Sequence, residues 1–223
     1  MSVVLEDNST VVLQPESSLT IPAHFKTGKR EVFLKGEGFF RITKNTARPF
    51  FVYNKNTITK VVGTSFTVRT DKISDRTEVI VKTGKVVVTA HEPRNMLQNL
   101  MSKHNKVVLT PNLRTIYSSD RKEFISTLAE QPVPVTESEG RELDDSLFVF
   151  NETSIQSVLS LLKTTYKIDI IAEDTNIFTC TFTGDITDIS LYDKLELLCQ
   201  SIGATYEIVK TKIYIRGGAC NKD

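Results

Sequence analysis

Catalysis or metal binding would need a nucleophile beside a base, a cluster of nitrogen and sulfur ligands, or paired carboxylates. Few residues of this 223-residue chain offer them. Its three histidines, His24, His91 and His104, are scattered and share no ligand spacing with cysteine or aspartate. Cys180, Cys199 and Cys220 form an odd set without a C-x-x-C pair. Cys180 alternates with Phe178 and Phe182, and Cys199 keeps helical spacing with Leu191, Leu195 and Ile202, so both read as small core hydrophobes. A Cys180–Cys199 bridge is the competing reading. The closest acidic neighbours, Asp144-Asp145 and Asp185 with Asp188, suit a solvated connector and turn-and-cap positions better than general acid–base work. Gly36-Glu37-Gly38 is half of a dinucleotide loop without its third glycine or following helix, and fits a strand junction where the backbone bends. Lys35, Phe39, Phe40, Arg41, Lys44, Arg48 and Phe50 interleave cations with aromatics as a nucleic-acid platform would. On alternating strands, however, most of those rings turn inward. The expectation is therefore no catalytic residue, no cofactor and no metal, with neither nucleic acid nor a small-molecule substrate as partner.

Composition agrees with a protein that folds and docks. Apolar residues make up 39% and charged residues 25%, enough for a buried core, and the formal net charge of +1 argues against a dedicated nucleic-acid binder. That total hides a split: residues 1–110 hold 17 Lys/Arg against 9 Asp/Glu, and residues 111–223 hold 11 against 18. No run approaches the ~18 apolar residues of a bilayer span, and residues 1–10 carry no basic-then-apolar leader pattern.

Two grammars follow one another. Residues 1–120 show short β-branched and aromatic runs at all-β spacing, broken at Asn8, Pro15, Pro22, Gly28, Gly36, Pro49, Gly63 and Gly84. The runs Val79-Ile80-Val81 and Val86-Val87-Val88 read as a hairpin with Gly84 at the positive-φ position. Residues 91–105 interrupt the pattern with a polar, Met-containing insert. Residues 121–146, with Pro132, Pro134 and an acidic cluster at Glu137, Glu139, Glu142, Asp144 and Asp145, read as a linker or connecting arm. From 147 the order becomes β-α-β-β-α-β-β up to residue 217, followed by a tail at 218–223. A capping box at Thr153-Ser154-Ile155-Gln156 opens the first helix, Ser190 with Asp193 opens the second, and Gly203 closes it. A 36-residue shift maps Ile155, Leu159, Leu162 and Tyr166 onto Leu191, Leu195, Leu198 and Ile202. The predicted class is α+β: an all-β solenoid- or sandwich-like domain, then a small βαββαββ domain.

Four stretches in fixed order resemble one family. They are Leu5-Glu6-Asp7-Asn8-Ser9-Thr10-Val11, then Arg30-Glu31-Val32-Phe33-Leu34-Lys35-Gly36-Glu37-Gly38-Phe39-Phe40, then Arg48-Pro49-Phe50-Phe51-Val52, then Val61-Val62-Gly63-Thr64-Ser65-Phe66-Thr67-Val68, with a V-x-V-x-x-G-x-V-x-V run through Gly84. Together they resemble the periplasmic region of FecR-type anti-sigma factors, with Gly36, Glu37, Phe40, Pro49, Phe50, Gly63, Thr64, Phe66 and Gly84 as the structural signature. The later motifs Leu147-Phe148-Val149-Phe150-Asn151-Glu152, Tyr166-Lys167-Ile168-Asp169-Ile170, Phe182-Thr183-Gly184 and Ile213-Tyr214-Ile215 are similar to the module that follows in the Bacteroidetes branch. Its order also resembles the secretin/TonB short N-terminal domain. One departure is Asn8, where the family's first motif has glycine; asparagine tolerates left-handed geometry, so the turn is expected to survive.

The resemblance implies a relay with no chemistry of its own. The chain would sit in the periplasm, anchored in the inner membrane by an N-terminal helix that, with the sigma-binding cytoplasmic segment, is not found ahead of Met1. Either this is an excised portion or direct signalling is lacking. The implied partner is the periplasmic signalling domain of a TonB-dependent outer-membrane transporter, and the controlled target an extracytoplasmic-function sigma factor. The closing hairpin is the expected docking border, with Tyr206, Glu207, Ile208, Lys212, Ile213 and Tyr214 as candidate contacts. The basic first half would hold close to an anionic membrane or simply present a solvated face. The competing function is a structural or glycan-binding module of the cell envelope, which would require exposed aromatic platforms.

Overall fold

The structure, a computed structural model, describes residues 1–71, 74–91, 106–135 and 146–220. The chain divides into two units, Met1–Ser126 and Thr127–Asp223. The insert at 92–105, with His104, and the acidic cluster at 137–145 lie outside the described residues.

Strands of the first unit are β1 (Ser2–Val4), β2 (Thr10–Leu13), β3 (Ser18–Thr20), β4 (Arg30–Lys35), β5 (Glu37–Arg41), β6 (Phe50–Tyr53) and β7 (Thr57–Val61). They continue with β8 (Ser65–Thr70), β9 (Arg76–Thr83), β10 (Val86–Ala90), β11 (Lys106–Leu109), β12 (Leu113–Ser118) and β13 (Glu123–Leu128). One sheet orders them β1-β2-β5-β8-β9-β12-β13, the other β11-β10-β7-β6-β4-β3. Both orders advance with the sequence. The chain lays one or two strands in one sheet, crosses, and lays the next in the other, so both expected descriptions apply: a two-sheet sandwich that grows like a solenoid. Alternating inward residues fill it, among them Val32, Phe40, Phe50, Phe66, Val79 and Val88. Phe40 and Phe50 are fully buried, which removes them from any nucleic-acid platform.

The crossings explain the breakers. Glu16, Gly36, Gly84 and Asn112 all have positive φ, and each sits between strands of different sheets. The expected hairpin at residues 79–88 is therefore a corner: β9 pairs with β8 and β12, while β10 pairs with β7 and β11. Gly84 has φ +77, and a Cβ there would lie 2.5 Å from Thr64 Cγ2, so local geometry demands glycine for a corner as it would for a hairpin. Asn8 takes φ +62, and the turn closes with Asn8 N–H donating to Leu5 O at 3.0 Å.

An ion pair ties this unit together. Arg30, 1% exposed, donates through Nη1 to Asp7 Oδ2 at 2.5 Å and to Thr43 O at 3.0 Å, and through Nε to Arg48 O at 2.8 Å. Burial pushes the Asp7 carboxyl upward, but hydrogen bonds from Arg30 and Ser9 outweigh it and hold the group below its ordinary value.

The expected linker is shorter than residues 121–146. Glu123–Leu128 forms β13 at the border of the seven-stranded sheet, with polar and apolar residues mixed on both faces. Beyond it, Val135 N–H donates to Thr165 O, and Ala129 O accepts from the Tyr192 hydroxyl at 2.8 Å, so this stretch packs within the second unit.

In that unit β14 (Val149–Ser154) leads to α1 (Ile155–Tyr166), then β15 (Asp169–Ala172), a short 3-10 helix (Thr175–Thr179), β16 (Thr181–Asp185), α2 (Leu191–Ser201), β17 (Ala204–Val209) and β18 (Lys212–Gly217). The order is the expected one, divided into a two-stranded sheet, β14-β16, and a three-stranded sheet, β15-β18-β17. The helix caps are Ser154, accepting from Ser157 N–H at 3.2 Å, and Ser190, accepting from Asp193 N–H at 3.2 Å. The first cap thus lies one residue beyond the expected Thr153. Ser154 and Ser190 extend the 36-residue correspondence, whose eight apolar positions are all buried.

Cysteine pairing meets the expectation for Cys199, a buried free core residue, and departs from both readings of Cys180. Cys180 is bonded to Cys220, with Cα atoms 5.0 Å apart, and Cys199 is the buried free thiol. Cys180 therefore sits in the core as half of a bridge that pins the C-terminal tail beside the 3-10 helix.

Candidate functional site: an edge strand in the second unit

The three-stranded sheet has two faces and two borders. Cross-strand register sets Tyr206 opposite Ile215 and Ile208 opposite Ile213, so these four share the face on which Ile213 and Ile215 are buried against the helices. Glu207 opposite Tyr214, and Val209 opposite Lys212, share the other face, as the alternation predicted. Sheet order separates the six candidate residues. Among the described residues β17, with Tyr206, Glu207 and Ile208, is a border strand paired on one side only. β18, with Lys212, Ile213 and Tyr214, is the middle strand, held antiparallel by β17 and parallel by β15. Its main-chain groups are committed on both sides, so a partner strand can add at β17 and not at Lys212–Tyr214.

The side chains of β17 fit that role. Ile208 and Val209 are 39% and 38% exposed at the C-terminal end of the strand. Tyr206 is half-buried, and burial, helped by the carboxylates of Glu196 and Asp193, pushes its phenol above the ordinary value. On the outward face Arg216 donates from Nε to Glu173 Oε1 at 3.0 Å and pairs with Glu207, linking β18 to both neighbours. Val209 completes the exposed end of β17 and was absent from the candidates. So were Asp169 and Ile171, which the parallel register places beside Lys212 and Tyr214. Sequence spacing carries no signal for that parallel pairing, because the paired residues, such as Asp169 and Lys212, are far apart in the chain.

The nine signature residues lie in the first unit and serve its architecture. Glu37 N–H donates to Ser17 Oγ at 2.8 Å at the corner made by Gly36. Phe40 stacks on Phe66 with ring centroids 5.2 Å apart, and Phe50 meets Phe25 edge-on under the Arg30 guanidinium. Pro49 O accepts from Arg30 N–H, Thr64 O accepts from Ile42 N–H, and Gly63 packs closely on Lys44 while its carbonyl oxygen lies against the Gly84 corner. Among the described residues no group of three or more His, Cys, Asp or Glu could hold a metal ion. No helix among them is long and apolar enough to cross a membrane.

Two family models match the chain in order: "FecR protein" over residues 1–87, and "FecR, C-terminal" over residues 147–215. No curated protein matches it. Two crystal structures of a protein from Parabacteroides distasonis, provisionally assigned as an anti-sigma factor, are similar at 24% identity and a TM-score of 0.49. Those matches cover 98% of this chain and 95% and 94% of the respective neighbours. The first match contains all nine signature residues and the second contains the edge strand β17, so the chain belongs to the FecR family of sigma-factor regulators.

Proposed function

We propose that this chain is the periplasmic signal-relay portion of a transmembrane anti-sigma factor. Its second unit binds the signalling domain of a TonB-dependent outer-membrane transporter, and the bound state passes through an N-terminal membrane helix to an extracytoplasmic-function sigma factor. The observation that carries the reading is the border strand β17, which ends in exposed Ile208 and Val209 inside the part matched as the FecR C-terminal module. An open strand supplies main-chain hydrogen bonds to an incoming strand, and alternate side chains supply selectivity. The Cys180–Cys220 bond supports an oxidising compartment such as the periplasm. A signalling contact of under ~1,200 Å² suffices, because membrane anchoring raises effective concentration.

The glycan-binding alternative gains a stacked pair, exposed Phe33 and half-buried Tyr53, with centroids 5.2 Å apart. The polar groups beside it are already engaged within the fold. Asn54 Oδ1 accepts from Asn56 N–H and Thr57 N–H, and Asp75 accepts from Lys55, Asn56 and Ser119. Sugar hydroxyls would have to displace those bonds, which favours the relay.

Calorimetric titration of the chain with the transporter's signalling domain tests the proposal. Binding should weaken as salt rises, since residues 111–223 carry the acidic balance and call for a basic complement. Ile208→Lys should weaken it about tenfold, because lysine on a border strand opposes strand addition. Absence of binding, or affinity indifferent to the substitution, would refute the reading.

A further inference from the structure

The outer face of the six-stranded sheet in the first unit plays no part in the reading above. Register aligns Phe33, Tyr53 and Ile58 in one cross-strand row, and Phe51, Lys60, Val87 and Val108 in the next. The rings form a connected group: Tyr53 stacks on Phe33 at 5.2 Å and on Phe51 at 6.3 Å, and Lys60 Nζ lies 5.7 Å from the centre of the Phe51 ring. Phe33 is 53% exposed and Val108 46%, so apolar surface persists from β4 to β11, about 19 Å at the usual strand spacing.

Charge on the outward positions of these strands is mostly positive. Lys35, Lys60 and Lys106 project from outward positions, and Lys29 precedes β4. Among the described outward positions of these strands Glu31 is the single carboxylate, and it accepts from Lys29 Nζ at 2.6 Å and from the Tyr53 hydroxyl at 2.8 Å. Between its neighbours each inner strand has its main-chain groups in the ladder, so no strand can add to the face. A matching surface must offer apolar depth to rings and anions to lysine heads over a broad, level area. A bilayer of anionic phospholipid offers both: aromatic side chains settle at headgroup level, and lysine stems reach outward to phosphates.

We propose that this face lies against an anionic phospholipid membrane. Because it concerns a different unit from the relay strand, its failure and that of the relay reading are separable. Sedimentation of the full chain with vesicles of phosphatidylglycerol and phosphatidylcholine should show binding at low salt that falls in about 0.5 M salt (about a 4 Å Debye length), and little binding to phosphatidylcholine alone. Each lysine near the surface is worth about fivefold, so Lys35→Glu, Lys60→Glu and Lys106→Glu together should weaken binding at least ~100-fold. Phe33→Ser should weaken it several-fold, with an unchanged circular dichroism spectrum showing that the fold is kept. Failure to sediment with anionic vesicles, or full binding by the triple variant, overturns the proposal. Capture of polyglutamate without vesicle binding also overturns it and assigns the face to an acidic protein.

Discussion

Replacing Cys220 with serine should destabilise the second unit alone. The bond to Cys180 closes a loop across a sequence separation of 40, which in the chain-entropy picture constrains the unfolded state by about 4 kcal/mol at 25 °C. In a unit of roughly 100 residues, 1 kcal/mol moves the melting temperature about 4–8 °C, so the variant should melt about 15–30 °C lower. The first unit supplies an internal control, because all three cysteines lie beyond Ser126. Scanning calorimetry should show one transition displaced and the other unmoved. Thiol counting gives an independent reading. Cys199 is buried, and burial, with Glu196 nearby, pushes its thiol up to about 11, so it should resist labelling in the folded protein. Denaturation without reductant should then reveal one thiol, and with reductant three. Three thiols without reductant in protein made under oxidising conditions, or a peptide linking Cys180 to Cys199, would refute this reasoning.

Asp7→Asn should cost the first unit about 3–5 kcal/mol by chemical denaturation, since it leaves the Arg30 guanidinium buried beside a neutral amide. The folded Asp7 carboxyl lies below its unfolded value of 3.8, so its stabilisation is complete above that pH and is lost as pH falls through the folded value. Acid titration of stability should show this loss in the natural protein and less of it in the variant. Gly84→Ala should destabilise the same unit by about 2 kcal/mol or more, since the corner needs positive φ and a Cβ would clash with Thr64 Cγ2 and Gly63 O. A melting temperature within a degree of the parent would contradict the corner geometry.

Local signals were legible and pairings were not. Asn8, Gly84, Gly203 and the Ser190–Asp193 cap each announce a backbone geometry that neighbouring residues alone determine. A positive-φ glycine serves a hairpin and a corner equally, so the sequence around Gly84 could not say that β9 and β10 belong to different sheets. β13 escaped notice because both its faces mix polar and apolar residues, Glu123, Ile125 and Thr127 on one and Phe124, Ser126 and Leu128 on the other, so no clean alternation marks it as a strand. Thr153 and Ser154 are both competent caps, and the choice rests on where α1 packs. The Cys180–Cys220 bond and the middle position of β18 depend on contacts about 40 residues apart. Lys194 was hidden as well: it is 1% exposed and donates to the nearby Ile186 O and Thr187 O, but its burial also rests on the distant Phe148 ring, whose centre is 4.2 Å away. For the candidate site, alternation assigned the two faces correctly, while only the three-dimensional sheet order distinguished the open strand from the covered one.

Amide hydrogen exchange across residues 204–209, with and without the transporter's signalling domain, addresses the docking claim at the atoms involved. Strand addition at β17 should slow exchange at alternate amides of that stretch while β18, already paired on both sides, changes little. Unaltered exchange throughout β17 in a saturated complex would show that the partner binds elsewhere and would contradict the account.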